Sequence, residues 1–212
     1  MSLNTIVGVG GFTSNSGKTT VMCELLRAFP GWEAIKVSRG HYRSCGKDPR
    51  ACCISPLLGD EPSVRTGRAE TDAAGKDTGR YWEAGASNVH WVVATDRQVE
   101  RGIKSALARV AAPGVFVEGN SFTKYAEVDF LLMVARAGRE SEIKPTARRV
   151  LAQVSAFYLF DAEADERAAR ARFDEWREGA GVGAAGRAPV HTRADLPGLV
   201  ARIGAIHRAA AA

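Results

Sequence analysis

The sequence has no long hydrophobic run, and no stretch approaches the roughly 20 apolar residues that a membrane span requires. Its N-terminus lacks a basic segment followed by an apolar one, which is the pattern of a secretory signal. We therefore expect a cytoplasmic protein that does not enter a membrane. The 212 residues contain no internal repeat and suit a single domain, residues 1–212, with an insertion at about 38–76.

A strong excess of basic charge is also missing. The chain has 29 Lys and Arg against 24 Asp and Glu, a formal net charge of +5, and the two signs are interspersed. No basic stripe with interleaved aromatic side chains is present, so nucleic acid is not an expected partner. A mildly basic surface does suit the negative charges of a nucleotide.

Cysteine is scarce, with four in all. Cys23 falls in an apolar helical pattern and is expected to be a small core residue. The others, Cys45, Cys52 and Cys53, follow His41 in the order H-x₃-C-x₆-C-C. Thiolates with one imidazole can bind Zn²⁺ or an iron–sulfur cluster. The alternative is a set of reduced thiols in a loop, since the spacing matches no standard metal site.

Short apolar segments alternate with amphipathic ones along the chain. The predicted strands are Ile6–Gly10, Ala34–Val37, Val89–Ala94, Gly114–Glu118, Val128–Ala135, Phe157–Phe160 and Pro189–His191. The predicted helices are Lys18–Phe29, Thr78–Ala86, 99–110, Lys144–Val154, Ala162–Glu178 and 196–206. Residues 38–76 show no period of 2 or 3.6 and are expected to lack regular structure. The alternation predicts an α/β fold, a mainly parallel sheet with helices on both faces.

The most informative stretch follows the first predicted strand and reads G-F-T-S-N-S-G-K-T-T. A strand, a glycine-rich turn and a helix form the context of a phosphate-binding loop. Backbone N–H groups at the start of a helix lack partners within it and bind anions. We expect Lys18 to act as the catalytic cation on the terminal phosphates and Thr19 to hold Mg²⁺. The predicted nucleotide-binding residues of this stretch are Gly11, Thr13, Ser14, Asn15, Ser16, Gly17, Lys18, Thr19 and Thr20.

This loop departs from the usual spacing by one residue. Four residues normally separate the first glycine from the Gly-Lys pair, but here Phe12 occupies the glycine's place and Gly11 lies one position earlier. Longer loops of this kind occur in the dethiobiotin synthetase branch of P-loop NTPases, which this stretch resembles.

Other polar residues follow the predicted strands, where parallel sheets bind their ligands. Glu118 ends a strongly apolar strand and is expected to hold Mg²⁺, directly or through water. A second charged group, Lys76, Asp77 and Arg80, is fit to approach phosphates, although Asp77 could equally cap the helix that follows. The same rule places further candidates at this edge of the sheet: Lys36, Ser38, Arg39, His41, Asp96 and Asn120.

Four motifs occur here in the order typical of one family: S-N-S-G-K-T-T, I-K-V with a histidine shortly after it, G-K-D-T-G-R-Y-W-E-A-G-A, and V-F-V-E-G. The chain resembles the B proteins of molybdopterin-guanine dinucleotide biosynthesis, the MobB family. The resemblance implies a GTP-binding homodimer with weak hydrolysis, acting beside the enzyme that joins a guanine nucleotide to molybdopterin. It also implies phosphate and Mg²⁺ contacts for Gly17, Lys18 and Thr19, with Asp77 and Glu118 near the metal.

Two other functions stay open. The longer loop and the Glu118-Gly119 turn favour an ATP-dependent ligase or kinase resembling dethiobiotin synthetase. The cysteines favour a metal-delivery protein in which nucleotide state controls release of an ion. No Asn-Lys-x-Asp motif for reading guanine is present, so the preference for GTP over ATP rests on the resemblance alone. No catalytic base is evident, so any hydrolysis is expected to be slow.

Overall fold

The computed structural model describes residues 4–40, 54–180 and 187–210. Within these ranges one sheet has the strand order β3-β4-β2-β5-β1-β6-β7-β8. All neighbouring strands are parallel except β3 and β4, which are antiparallel. The strands are β1 Thr5–Gly11, β2 Glu33–Arg39, β3 Ser63–Thr66, β4 Val89–Ala94, β5 Gly114–Glu118, β6 Phe130–Arg136, β7 Ala156–Phe160 and β8 Val190–His191.

Helices cover both faces of the sheet. They are α1 Lys18–Ala28, α2 Arg68–Thr71, α3 Asp77–Glu83, α4 Val99–Leu107, α5 Pro145–Arg148, α6 Glu166–Gly179 and α7 Leu196–Ala210. Residues of α1, α3 and α7 pack on one face, and residues of α4, α5 and α6 pack on the other. The predicted α/β fold with a mainly parallel sheet and helices on both faces is therefore confirmed.

The central strands are apolar on both sides because both of their faces are buried. Along β6, Phe130, Leu132 and Val134 enter the core beneath α1 and α7, while Leu131 and Met133 enter the core beneath α5 and α6. A continuous apolar run is thus the expected signature of such a strand. No helix in the described ranges combines the length and the hydropathy needed to cross a membrane.

The structure differs from the sequence-based prediction in two places. Residues 38–76 were expected to lack regular structure, but β3 and α2 lie within them. All four residues of β3 are half-buried at the edge of the sheet, so they lack the apolar alternation that reveals a strand. The helix predicted for Lys144–Val154 is broken into α5 and a separate 3₁₀ turn, Leu151–Gln153. Its buried residues keep a helical spacing across this break, which made the prediction too long.

Candidate functional site

A cavity of about 600 Å³ lies over the carboxyl ends of the central parallel strands. The loop between β1 and α1 forms one wall, and the ends of β2 and β5 form its floor together with the start of α3. Residues 14–20 all line this cavity, together with Asp77, Arg80 and Glu118. The fold thus brings most of the predicted site residues to a single place, as the strand-end rule requires.

The loop begins at Gly11, the last residue of β1, which is held by a side chain that follows β5. The side-chain amide of Asn120 accepts a hydrogen bond from the Gly11 N–H (2.8 Å) and donates one to the Gly11 carbonyl (2.9 Å). A Cβ at Gly11 would lie 2.4 Å from Ser16 Oγ, so only glycine lets the loop close this tightly. Asn120 therefore fixes the point where the loop leaves β1.

Phe12 explains why this loop has no glycine in the usual place. Its side chain is buried and packs against Phe157, Phe173 and Trp176, with ring centroids 5.0 to 6.2 Å apart. Its N–H donates to the Val134 carbonyl, and its carbonyl accepts from the Lys144 N–H. The additional residue is thus an anchor in the core, and residues 14–17 of the loop line the cavity.

The first turn of α1 presents its backbone N–H groups to the cavity without a side-chain cap from the described residues. Gly17, which precedes the helix, has φ 93°, and a Cβ there would lie 2.3 Å from the Phe160 ring. Ser16 Oγ is buried and has no hydrogen-bond partner among the described residues. Uncapped N–H groups and an unpartnered hydroxyl around one loop are what an anion would satisfy.

Lys18 folds back over this loop. Its ammonium donates to the Thr13 carbonyl over 3.2 Å. Burial lowers the pKa of Lys18, although the negative charge of Glu118 partly opposes that effect. A partly desolvated cation that faces uncapped N–H groups is favourable only when a strong anion joins it.

Glu118 is the centre of a buried polar cluster. Its carboxylate accepts hydrogen bonds from Lys36 Nζ (2.6 Å), Thr19 Oγ1 (3.2 Å) and the Tyr81 hydroxyl. Lys36 Nζ also lies 2.6 Å from Asp77 Oδ2, so one ammonium bridges both carboxylates. The sequence placed Thr19, Asp77 and Glu118 near one another, and the structure brings the three together.

The charges of this cluster stabilise one another. Burial would raise the pKa of Asp77, but Lys36 and then Thr19 outweigh it and hold that pKa below its usual value. Burial likewise opposes the charge on Lys36, yet Glu118 and Asp77 outweigh it and raise the pKa of Lys36. Asp77 is therefore held ionised, and both carboxylates lie close to the hydroxyl of Thr19.

These donors fit Mg²⁺. One hydroxyl and two carboxylates are hard oxygen ligands, and Mg²⁺ typically takes few protein ligands because phosphates and water supply the rest. The described residues contain no cluster of three or more His, Cys, Asp and Glu side chains able to hold an ion by themselves. A metal here would thus depend on Thr19, Asp77 and Glu118 together with the phosphates of a ligand.

The predicted group of Lys76, Asp77 and Arg80 is divided in the structure. Lys76 is exposed, precedes α3 and does not line the cavity, whereas Arg80 does line it and donates to Thr20 Oγ1 over 3.2 Å. The predicted metal-binding set, His41, Cys45, Cys52 and Cys53, lies outside the described residues. The fourth cysteine, Cys23, is buried in the core as predicted.

Sequence reasoning gave Lys144 and Tyr81 no role in the site. Lys144 precedes α5 and lines the same cavity as the acids. It follows β6 in the chain, so the strand-end rule could have found it, but it was taken only as the first residue of a helix. Tyr81 is fully buried on α3 and was hidden because its hydroxyl partner, Glu118, is distant in sequence.

No protein-family model and no curated protein matches this chain. Solved structures do share its fold. HypB from Helicobacter pylori, solved in complex with nickel, aligns over 98% of this chain and 89% of its own, with 13% identity and a TM-score of 0.57. A LAO/AO transport system kinase aligns over 98% of this chain and 60% of its own, with 14% identity and a TM-score of 0.51.

A third structure matches more partially. LpxK from Aquifex aeolicus, in complex with ATP, aligns over 76% of this chain with 15% identity and a TM-score of 0.49. The chain spans only 50% of LpxK, and 60% of the LAO/AO kinase. Identities this low bear on the fold alone. The parallel sheet, the loop after β1 and the alignments with HypB and the LAO/AO kinase together give this chain the fold of the P-loop NTPases.

Proposed function

We propose that this chain binds a purine nucleoside triphosphate with Mg²⁺ and hydrolyses it slowly. The observation that carries the proposal is the convergence of Lys18, Thr19, Asp77 and Glu118 around one cavity beside an uncapped helix start. These side chains come from α1, α3 and β5, so the fold and not the local sequence brings them together. Ser16, with its unpartnered buried hydroxyl, adds a further donor for the phosphates.

Each group has a distinct task in this proposal. Backbone N–H groups of residues 14–20 cradle the phosphates, and Lys18 neutralises the terminal ones. Thr19, Asp77 and Glu118 hold Mg²⁺, which supplies additional charge neutralisation when bound. Asp77 and Glu118 are the carboxylates that line the cavity among the described residues, and both are assigned to the metal, so neither is left to activate water. Slow turnover follows from that assignment.

A more specific role rests on the motifs. We propose that the nucleotide is GTP and that the protein is a homodimeric accessory factor in molybdenum-cofactor maturation, beside the enzyme that attaches the guanine nucleotide. The MobB-like order of the phosphate loop, the I-K-V strand, the block from Gly75 to Ala86 and the V-F-V-E-G strand supports this role. Lys18, Thr19, Asp77 and Glu118, to which the resemblance assigns phosphate and Mg²⁺ contacts, all line one cavity, and this supports the proposal.

The test of this role compares GTP with ATP. Calorimetric titrations with Mg²⁺ are expected to show tighter binding of GTP, and phosphate release is expected to be slow with either nucleotide. Equal affinity for both would remove the guanine-specific role while leaving nucleotide binding in place. Phosphate release that depends on an added acid substrate would favour the ligase or kinase function.

A metal-delivery role is a second candidate. It is supported by the alignment with HypB, a protein solved with nickel, and by the cysteines of the 38–76 segment. It predicts a tightly bound ion after anaerobic, chelator-free purification, measured by elemental analysis. It also predicts that nucleotide and metal change each other's affinity by the same factor. Protein free of metal under those conditions would eliminate this candidate.

Lys144 gives the proposal a pH dependence. Burial first, and then the neighbouring cations Lys18 and Arg39, lower its pKa to about 8. A bound polyphosphate favours the protonated form and raises that pKa, so binding takes up a proton near pH 8. We expect triphosphate affinity to fall as the pH rises through about 8, by up to about tenfold per pH unit. The terminal phosphate loses its own last proton lower, near about pH 6 to 7, and does not cancel the effect.

Calorimetry at several pH values in buffers of different ionisation enthalpy measures this proton uptake. Lys144→Met should weaken binding at pH 7 and flatten the profile above it. Lys104→Met is the matched control, because Lys104 is an exposed lysine paired with Glu100 on α4. An unchanged profile in Lys144→Met would show that Lys144 does not contact the phosphates.

A further inference from the structure

A second cavity of about 390 Å³ adjoins the nucleotide site. Four residues, Arg39, Asn120, Ser121 and Thr146, line both cavities. The second one extends from the carboxyl ends of β2 and β5 towards the 3₁₀ turn Ser121–Lys124 and the segment after α5. Its volume is in the range of sites for small molecules.

Cations dominate the walls of this second cavity. Arg39, Lys124 and Arg149 line it, against one carboxylate, Asp96. Arg39 Nη1 lies 2.9 Å from Asp96 Oδ1, so that pair is already engaged. Within the described ranges no carboxylate lies within 4.0 Å of the charged groups of Lys124 or Arg149. Both side chains are exposed, and their positive charges at one cavity point to an anionic ligand.

The remaining lining gives the ligand a second requirement. Val99 and Val150 are buried apolar residues at this cavity, and Tyr125 is partly buried beside them. A cavity lined by both cations and apolar side chains suits a molecule that has an anionic group and an apolar part. An inorganic anion would contact only the cations of this cavity and not its apolar side chains.

Asn120 links this cavity to the nucleotide site. It lines both cavities, and its amide holds Gly11 at the start of the phosphate loop through two hydrogen bonds. Arg39 also lines both cavities, and its positive charge contributes to lowering the pKa of Lys144. A ligand that contacts Asn120 or Arg39 in the second cavity would therefore act on the residues that position the phosphates.

We propose that the second cavity binds a small anionic molecule, with a phosphate or carboxylate group on an apolar body, while the first holds the nucleotide. The anionic group contacts Arg149 and Lys124, since guanidinium groups bind both phosphate and carboxylate through paired hydrogen bonds. The apolar part lies against Val150 and Tyr125. This inference rests on the proposed function, because it treats the first cavity as the nucleotide site.

The experiment first saturates the full-length protein with Mg²⁺ and a non-hydrolysable triphosphate, so that the phosphate loop is occupied. Inorganic phosphate and succinate are then titrated separately, and binding is followed by NMR line broadening of each small molecule. Broadening with phosphate alone, with succinate alone or with both supports the site and identifies the anion it prefers. Phenyl phosphate should bind more tightly than inorganic phosphate because it also uses the apolar surface.

Arg149→Gln is the diagnostic variant. The loss of one charge-assisted contact should weaken anion binding about tenfold. Lys124→Gln should have a similar effect and serves if the first variant is poorly folded. Arg148→Gln is the matched control, because Arg148 is the preceding arginine, is exposed and lines neither cavity.

The outcomes separate this inference from the proposed function. If the triphosphate binds but neither anion does, or if Arg148→Gln weakens the anions as much as Arg149→Gln, the second site is refuted and the nucleotide site stands. If the triphosphate itself does not bind, both are refuted. Anion binding that falls in Arg149→Gln and Lys124→Gln, with triphosphate affinity kept within about twofold, supports the second site.

Discussion

Replacing Lys18 by alanine is expected to weaken nucleoside triphosphate binding by at least about 100-fold, a loss of roughly 3 kcal/mol. The ammonium donates to the Thr13 carbonyl, and burial lowers its pKa, so additional negative charge beside it is favourable. A polyphosphate supplies that charge, so the lysine and the ligand stabilise each other. Calorimetry with Mg²⁺ present measures the loss directly.

The same substitution should not destabilise the fold. Lys18 is the first residue of α1, where alanine is a good helix former, and removing a partly desolvated charge costs the free protein little. We expect thermal unfolding within a few degrees of the wild type. Lys76→Ala is the matched control, since this lysine is exposed and lies outside the cavity. Unchanged affinity in Lys18→Ala, or an equal loss in Lys76→Ala, would refute the phosphate-loop interpretation.

Glu118→Gln is expected to remove most of the effect of Mg²⁺ on binding and to slow hydrolysis about 100-fold. Glu118 is a buried carboxylate beside Thr19, and an amide is a much weaker ligand for a hard cation. The substitution also removes a negative charge next to the phosphates. Affinity for the metal-free triphosphate should therefore stay the same or rise, whereas the gain on adding Mg²⁺ should fall about tenfold or more.

Glu33→Gln provides the control for burial and charge. Glu33 is also buried in the sheet, where its carboxylate pairs with His90 at 2.6 Å and accepts from the N–H groups of Ala111 and Ala112. It begins β2 and so lies at the amino ends of the parallel strands, whereas Glu118 lies at their carboxyl ends. Its loss should lower stability without changing the Mg²⁺ dependence of binding. If Glu118→Gln bound Mg²⁺-triphosphate like the wild type, Glu118 would have no part in holding the metal.

Local pattern was enough to predict much of the fold. β1 and α1 are recognisable because apolar periodicity and the Gly-Lys-Thr turn belong to adjacent residues. The strand β3 escaped because its half-buried residues at a sheet edge are specified by their partner β4 and not by their own alternation. The role of Phe12 as a core anchor could not be predicted from local sequence either, because it depends on aromatic rings contributed by β7 and α6.

The candidate site was partly predictable because strand ends of a parallel sheet converge. That rule placed Glu118 near Lys18 without knowledge of any distance, whereas Asp77 was placed near the metal by the family resemblance. Neither could show that Lys36 bridges the two acids or that Tyr81 donates to Glu118, because these contacts join residues far apart in sequence. Such contacts show that both carboxylates already have partners within the protein.

The most direct measurement is a calorimetric titration of the wild-type protein with GTP and with ATP in the presence of Mg²⁺. Saturable binding of at least one triphosphate, with one site per chain and a marked loss in Lys18→Ala, is the predicted result. Absence of binding by GTP, ATP and their diphosphates, from a folded protein, would contradict the assignment of the loop after β1 as a phosphate site.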